Sequence, residues 1–416
     1  MTWNATFASL GERNYRRYFV GQAVSVTGTW MQTIAQSWLV LQLTGSGTMI
    51  GLVAAAQFLP VLFLAPYGGL LADRFDKRRI LILTQTTFAV LASILGVLTI
   101  TGVVRLWMVV AVVLVFGLAS AADNPARQAF ASEMVGANQV RNAVTLNSIL
   151  VNAARAIGPA IAAVVIAAAG LGVCFLLNAV SYVAVLIALI GMDRVALHPA
   201  PVAAREPGQL REGLRYVGAT RSLLIPLVML LLVGTLAYEF RVVLPLLAHR
   251  TFDGGPGTYA LMTSAMGIGA IIGGLLTASK STTGTHVLSR AAVGFAVAMA
   301  LAAIAPTLEL EIAALALVGA TSIIFLATGN STLQLASEPR FRGRVMALWS
   351  VAFLGSTPLG GPLIGAVSDW AGPREALGLG ALACLLAATI GAVSSHQRPR
   401  IAAPAVNHSG AWHQNG

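Results

Sequence analysis

Gly68-Gly69-Leu70-Leu71-Ala72-Asp73-Arg74-Phe75-Asp76-Lys77-Arg78-Arg79 closes a long uncharged stretch with two glycines, an acid and a basic cluster. Its apolar part returns 205 residues later as Gly273-Gly274-Leu275-Leu276-Thr277. Other pairs keep nearly the same offset. Arg141 and Gly158-Pro159 return as Arg344 and Gly361-Pro362, at 203, and Asn124 and Gln128 return as Asn330 and Gln334, at 206. In a chain of 416 residues these offsets divide the sequence into two homologous halves. Parallel repeats of apolar helices, with a site at their interface, are the architecture of a secondary transporter.

The composition places both halves in a membrane. Apolar residues make up 57% and charged residues 10%, whereas a soluble surface carries about 25 to 35% charge. Uncharged stretches of roughly 17 to 25 residues, the length a bilayer core requires, follow one another. Twelve are expected: 18–41, 48–72, 80–103, 106–122, 142–168 and 171–192, then 223–248, 258–278, 287–306, 312–328, 345–367 and 376–394. The fold class is thus all-α integral membrane, with twelve transmembrane helices in two pseudo-symmetric six-helix bundles, 18–193 and 222–394. The interval 194–221, rich in proline and arginine, is the expected cytoplasmic linker. Residues 1–17 form a cytoplasmic N-terminal segment, and 395–416, without apolar periodicity, a disordered cytoplasmic tail.

The pI near 10.6 and net charge of +11 raise nucleic acid as a partner. The basic residues are placed otherwise. With the amino terminus inside, 21 of the 26 lysines and arginines fall in cytoplasmic segments, counting Arg290 at the cytoplasmic edge of its span, three outside (Arg105, Arg250 and Arg374) and two deep within spans (Arg155 and Arg241). That is the positive-inside distribution, and it puts both termini in the cytoplasm without invoking a polyanion. Residues 1–17 are polar and basic and the first apolar run is long enough to span, so no cleavable signal is expected and a bacterial plasma membrane is the expected location. Cys174 and Cys384 lie inside spans of different halves, which points to packing rather than a disulfide or metal site. No phosphate-cradling loop is present, so ATP is not the driver and no cofactor is expected. No span pairs a nucleophile with a base, and an enzyme is not expected.

Gly69, one helical turn ahead of Asp73, permits close helix approach, so Asp73 can face the positive end of a neighbouring helix while Arg74, Lys77 and Arg78 meet acids or lipid phosphates. A simple topology anchor would also use such a basic cluster. This element resembles the cytoplasmic loop signature of the major facilitator superfamily: a glycine, three residues, Asp-Arg, any residue, a second glycine, then basics. Gly69, Asp73, Arg74, Lys77 and Arg78 match, and Asp76 stands in place of the second glycine. The resemblance implies a cytoplasmic gate in which Asp73 contacts the start of the eleventh helix near Val345 and Lys77 pairs with Asp123. The stretch Ala122-Asp123-Asn124-Pro125-Ala126-Arg127-Gln128-Ala129, the start Arg13-Asn14-Tyr15-Arg16-Arg17 and the fifth-helix segment Ala154-Arg155-Ala156-Ile157-Gly158-Pro159 are similar to the superfamily's twelve-helix drug:proton antiporter branch, which includes macrolide and enterobactin exporters.

Within the spans, Gly158-Pro159 and Gly361-Pro362 are read as kink and packing positions, since proline removes a helix hydrogen bond and glycine admits a neighbour. Arg155 lies fourteen residues beyond Arg141, about 21 Å deep at ~1.5 Å per residue. Ser148, Asn152 and Arg155, spaced by four and three, share one helical face toward a polar cavity. Glu239 lies ~15 Å from the outer boundary of the seventh helix, and a carboxyl at that depth suits proton exchange. Proton coupling is therefore expected at Glu239, Asp123 or Arg155, and static structural roles for these charges remain the alternative.

Ser25, Thr29, Gln32 and Gln36 form a polar stripe on the first helix, and Trp349 and Phe353 an aromatic one on the eleventh. These add candidates for the substrate cavity. Such surfaces suit bulky amphipathic solutes better than sugars or small anions. The expectation is a monomeric, proton-coupled exporter of hydrophobic or amphipathic small molecules working by alternating access, its partners being substrate, protons and the bilayer. An importer or facilitator on the same fold, or a non-transporting membrane receptor or assembly partner, are the alternatives.

Overall fold

The computed structural model describes residues 7–198, 209–278 and 283–396. The tail beyond residue 396 and linker residues 199–208 lie outside it. Among the described residues there is no strand. The first half consists of Arg13–Thr44, Gly47–Arg74, Lys77–Ile100, Leu106–Val135, Val140–Ala169 and Leu171–Ile190. In the second half the seventh rod is Arg221–Leu236 followed by Phe240–Leu246. After it come Pro256–Ala278, Thr285–Ile304 and Leu308–Ala336, then an eleventh rod of Arg342–Leu354 and Thr357–Trp370, and finally Pro373–His396. Eleven of these rods are long and apolar enough to cross a membrane. The other, Arg13–Thr44, has the length, 32 residues, but carries the polar stripe.

Local chemistry sets the helix ends. Ser46 caps the second rod by accepting from the Met49 amide, and Gly45 just before it takes φ +64°, a left-handed turn glycine adopts without strain. Asp76, which departs from the superfamily pattern, caps the third rod by accepting from the amides of Arg78 and Arg79. The substituted acid therefore starts a helix where a glycine would only have turned the chain.

Two expectations are corrected here. The fourth rod continues past residue 122 to Val135, through Pro125. Ala126, Phe130 and Met134, spaced by four, bury one face against Tyr15 and Tyr18 of the first rod, and this packing outweighs the hydrogen bond lost at the proline. The described part of the interval between the halves adds a helix, Gln209–Ala219. Finally, the seventh and eleventh rods, expected to be continuous, are each broken near their middle.

The packing repeats with the sequence. The second rod packs on the fourth and the third on the sixth, as do the eighth on the tenth and the ninth on the twelfth. Between the halves the second rod lies along the eleventh and the fifth along the eighth, one contact and its exchange by a pseudo-two-fold. Small residues make these contacts close. A Cβ added to Gly361 would lie 3.0 Å from the Gly51 carbonyl oxygen, and one on Gly267 would lie 2.6 Å from Ala156 Cα. The outer surface is apolar, with Leu83, Val164, Ile187 and Leu275 among its exposed side chains, as lipid contact requires.

Candidate functional site

The end of the bundle that carries Arg13 and the linker helix is the near end, and the opposite end is the far end. The hydrogen bonds that join the two halves among the described residues gather at the far end, around Asp369. Its carboxylate accepts from Ser46 Oγ at 2.7 Å, the Gly47 and Thr48 amides at 2.8 and 2.9 Å, and Thr48 Oγ1 at 2.8 Å. These amides open the second rod, so a carboxylate of one half caps a helix of the other. Arg250, in the wider helical turn Leu247–Thr251 that follows the seventh rod, completes the latch by donating to Asp369 at 2.9 Å and to the Gly45 carbonyl at 2.6 Å. At the near end the described ion pairs stay within one half or bind it to the linker helix: Lys77 to Glu133 at 2.8 Å, and Arg344 to Glu212 at 2.6 Å.

Halfway between the ends lie the two helix breaks, side by side. The seventh rod is non-helical at Tyr238 and Glu239, and the eleventh turns at Gly355 and Ser356, just before Pro358, which has no amide hydrogen to donate. A Cβ on Gly234 would lie 2.9 Å from Ser356 Oγ, and one on Gly360 3.0 Å from Glu239 Oε1, so glycines let the breaks meet. Glu239 is buried, faces Thr357, and its Oε1 has no hydrogen-bond partner. Irregular backbone at membrane depth is tolerated where protein or a water-filled cavity satisfies it, which makes such breaks markers of transport sites.

Across the interface from the breaks stands Trp30 of the first rod, with an arginine from each half against its indole: Arg155 at 5.6 Å and Arg241 at 6.0 Å from the ring centroid. Arg241 also lies 5.3 Å from the Phe58 ring. On the other wall Tyr238 meets Phe353 edge-on at 5.0 Å, and Trp349 stacks on Phe353 at 5.7 Å. The chamber is thus aromatic on both walls, with two guanidiniums and one carboxyl among them. On the outer surface, an open apolar groove of about 540 Å³ runs between the fifth and eighth rods, lined by the exposed Ile157, Ile161, Val164 and Ile268 among others.

The predicted residues separate into several groups. Arg155, Glu239, Trp349 and Phe353 lie at the centre, and Gln36 reaches Gln57 of the second rod at 3.4 Å. The rest of the first-rod stripe faces the sixth rod, not the chamber. Gln32 accepts from Asn178 at 2.6 Å, Thr29 Oγ1 lies 3.2 Å from the Tyr182 hydroxyl, and Ser25 is buried. Buried polar groups need partners, and the sixth rod supplies them inside one half. Ser148 and Asn152 are on the open side of the fifth rod, bonded back to the Val144 and Ser148 carbonyls.

Asp123 does not meet Lys77. The helical extension of the fourth rod carries Glu133 to the rim, where it takes Lys77, and leaves Asp123 deeper. There Asp123 accepts from Thr84 Oγ1 at 2.7 Å, Gln85 Nε2 at 2.9 Å and Arg127 at 2.5 Å. Arg74 is exposed, and Arg78 is buried, donating to the Leu189 and Ile190 carbonyls of its own half. The Asp73 side chain, for which a contact near Val345 is expected, lies outside the described ones. Gly158 admits the first rod, since a Cβ there would lie 2.6 Å from Trp30 Cβ, and Pro159 and Pro362 stand inside their helices. Reasoning from sequence missed Trp30, Tyr238, Phe58 and the Asp369 latch. A lone tryptophan carries no periodic signal, and Asp369 sits at a span end where acids are common.

Among known proteins, the chain matches a family described as transmembrane secretion effector over residues 4–415. It is 26% identical to the staphyloferrin A transporter of Staphylococcus aureus, over 62% of this chain and 65% of that protein. It is 27% identical to macrolide efflux protein A of Streptococcus pyogenes, over 62% and 64%, and 24% identical to the enterobactin exporter of Salmonella typhimurium, over 84% of each. The first two matches thus span just under two thirds of those relatives' length. In fold the chain is similar to a bacterial homologue of the human lysosomal transporter Spinster in an inward-facing conformation, with TM-score 0.72 and 14% identity over 92% of this chain and 96% of that one. Twofold-related bundles meeting at paired helix breaks, and a family match that runs nearly end to end, lead to one assignment: the chain belongs to the transmembrane secretion effector family of the major facilitator superfamily.

Proposed function

We propose that this protein exports a small amphipathic molecule in exchange for protons, by alternating access of the central chamber to the two sides of a bacterial plasma membrane. The observation that carries this reading is the pair of broken rods, seven and eleven, whose breaks face Trp30 and Arg155 across the interface of the halves. The near end is cytoplasmic, on the strength of its basic residues, and both termini lie on that side. The far-end latch of Asp369 and Arg250 is shut in the present conformation, which supports loading from the near end. Outward opening then requires that latch to part. Glu239 is the proton carrier: its Oε1 is unpartnered, it sits at a helix break, and Asp123 is already fully hydrogen-bonded within its own half. The transporter works as a monomer, since one chain supplies both walls of the chamber. Relatives named for macrolide efflux and enterobactin export favour the outward direction.

The test is flux in proteoliposomes under an imposed proton gradient, with rhodamine 6G, erythromycin and 1-naphthaleneacetate as probes. Gradient-dependent export of one probe, uncoupled from the gradient in Glu239→Gln, is the expected result. Equal coupling in parent and variant would remove Glu239 from the mechanism.

A further inference from the structure

We infer that the chamber selects an organic monoanion, one carboxylate on an aromatic or other apolar body, held between Arg155 and Arg241 over the Trp30 ring. The inference deepens the exporter reading and rests on it. Each half contributes one of these guanidiniums. Neither makes an ion pair among the described residues, whereas the described chain pairs Arg127, Arg250, Arg340 and Arg344 with carboxylates. Arg155 Nε is buried with no hydrogen-bond partner at all. Contact with an indole face offsets only a small part of the cost of a cation at membrane depth, so a pair of unmatched arginines there marks a place for an anion.

Charge fixes the valence. Glu239 is the carboxyl nearest in sequence to Arg241, and it leaves the chamber one positive charge in excess when ionised. A single carboxylate on the cargo brings the loaded chamber to neutrality, the state that crosses a low-dielectric barrier at least cost. Shape agrees, because the guanidinium fork binds carboxylate through paired hydrogen bonds, and Trp30, Phe58, Tyr238, Phe353 and Trp349 offer flat apolar surface beside it. An ammonium cargo would instead face two like charges. An anion leaving the cell also runs down an interior-negative membrane potential, so the potential alone can drive part of its export.

The probes are 1-naphthaleneacetate and 1-naphthylethylammonium, an acid and an amine on the same ring system. Binding to the full chain in zwitterionic nanodiscs is measured by equilibrium dialysis against empty discs. The acid should bind at least about tenfold tighter than the amine, and Arg155→Gln and Arg241→Gln should each weaken the acid about tenfold, the order for one charge-assisted hydrogen bond, without weakening the amine. Arg155→Lys and Arg241→Lys should recover part of the loss, which separates charge from misfolding. Equal or tighter binding of the amine, or unchanged acid binding in both glutamine variants, would overturn the inference. Counterflow of the same probes in proteoliposomes tests the exporter reading separately. Selective acid binding with no flux of either probe sinks the exporter and leaves the anion site, while flux of the amine with no preference for the acid does the reverse.

Discussion

Asp123 and Glu239, two of the three buried carboxyls among the described residues, have opposite surroundings. Asp123 accepts from Thr84, Gln85 and Arg127, all in its own half, while Glu239 Oε1 has no partner and sits where a helix is broken. Removing the first should therefore cost stability, and changing the second should cost coupling. Asp123→Ala leaves the Arg127 cation without its carboxylate, so unfolding in mild detergent should show a loss of about 3 kcal/mol, the order for breaking a buried ion pair. Glu239→Gln keeps the volume and is expected to melt near the parent, while its transport rate loses most of its dependence on pH. Depth in its span makes Glu239 a candidate from sequence, and the place of Asp123 at the end of the fourth span, beside the basic loop, makes it the other. The sequence could not rank them, because Thr84 and Gln85, which complete the shell of Asp123 beside Arg127 on its own helix, come from a neighbouring helix about forty residues away, a fact of packing rather than of periodicity. Arg155 was legible from depth, whereas Asp123 misled because the helix that carries it runs on to Val135 and hands Lys77 to Glu133.

At the scale of elements, glycines set how closely helices meet, and breaks set where backbone is free to serve a ligand. Gly158→Val would drive a side chain into Trp30 Cβ and the Thr27 carbonyl, 2.6 and 2.8 Å from the added Cβ. Separation of the first and fifth rods should lower the melting temperature by an amount corresponding to about 1 to 3 kcal/mol, and should weaken probe binding, because Trp30 shifts with the rod. The positions of most rods, eleven of them long and apolar enough to span, were readable from uncharged run lengths. The breaks do not follow from run length: 223–248 and 345–367 are each long enough to span as one helix although Glu239 and Arg241 interrupt the first and Gly355-Ser356-Thr357-Pro358 the second, and the two breaks meet through Gly234 against Ser356 and Gly360 against Glu239. The extension of the fourth rod was hidden by Pro125, whose local preference lost to the burial of Ala126, Phe130 and Met134.

For the whole molecule, the repeat announced in the sequence becomes a pseudo-two-fold, and the asymmetry between its ends becomes the conformational state. Asp369 and Arg250 hold the far end, so Asp369→Asn, which keeps shape and removes charge, should raise the accessibility of far-end cysteine probes by about tenfold, the shift expected from losing roughly 1.5 kcal/mol of charge-assisted hydrogen bonding. If accessibility there is unchanged, the latch does not govern outward opening. The central claim, outward transport through the chamber between the halves, is tested most directly by accumulation of 1-naphthaleneacetate, rhodamine 6G and erythromycin in energised everted membrane vesicles, comparing the parent with Trp30→Ala. Uphill accumulation of at least one probe by the parent, abolished by collapsing the proton-motive force and lost in Trp30→Ala, is the predicted result. Absence of accumulation for every probe, or accumulation that Trp30→Ala leaves intact, would contradict the account.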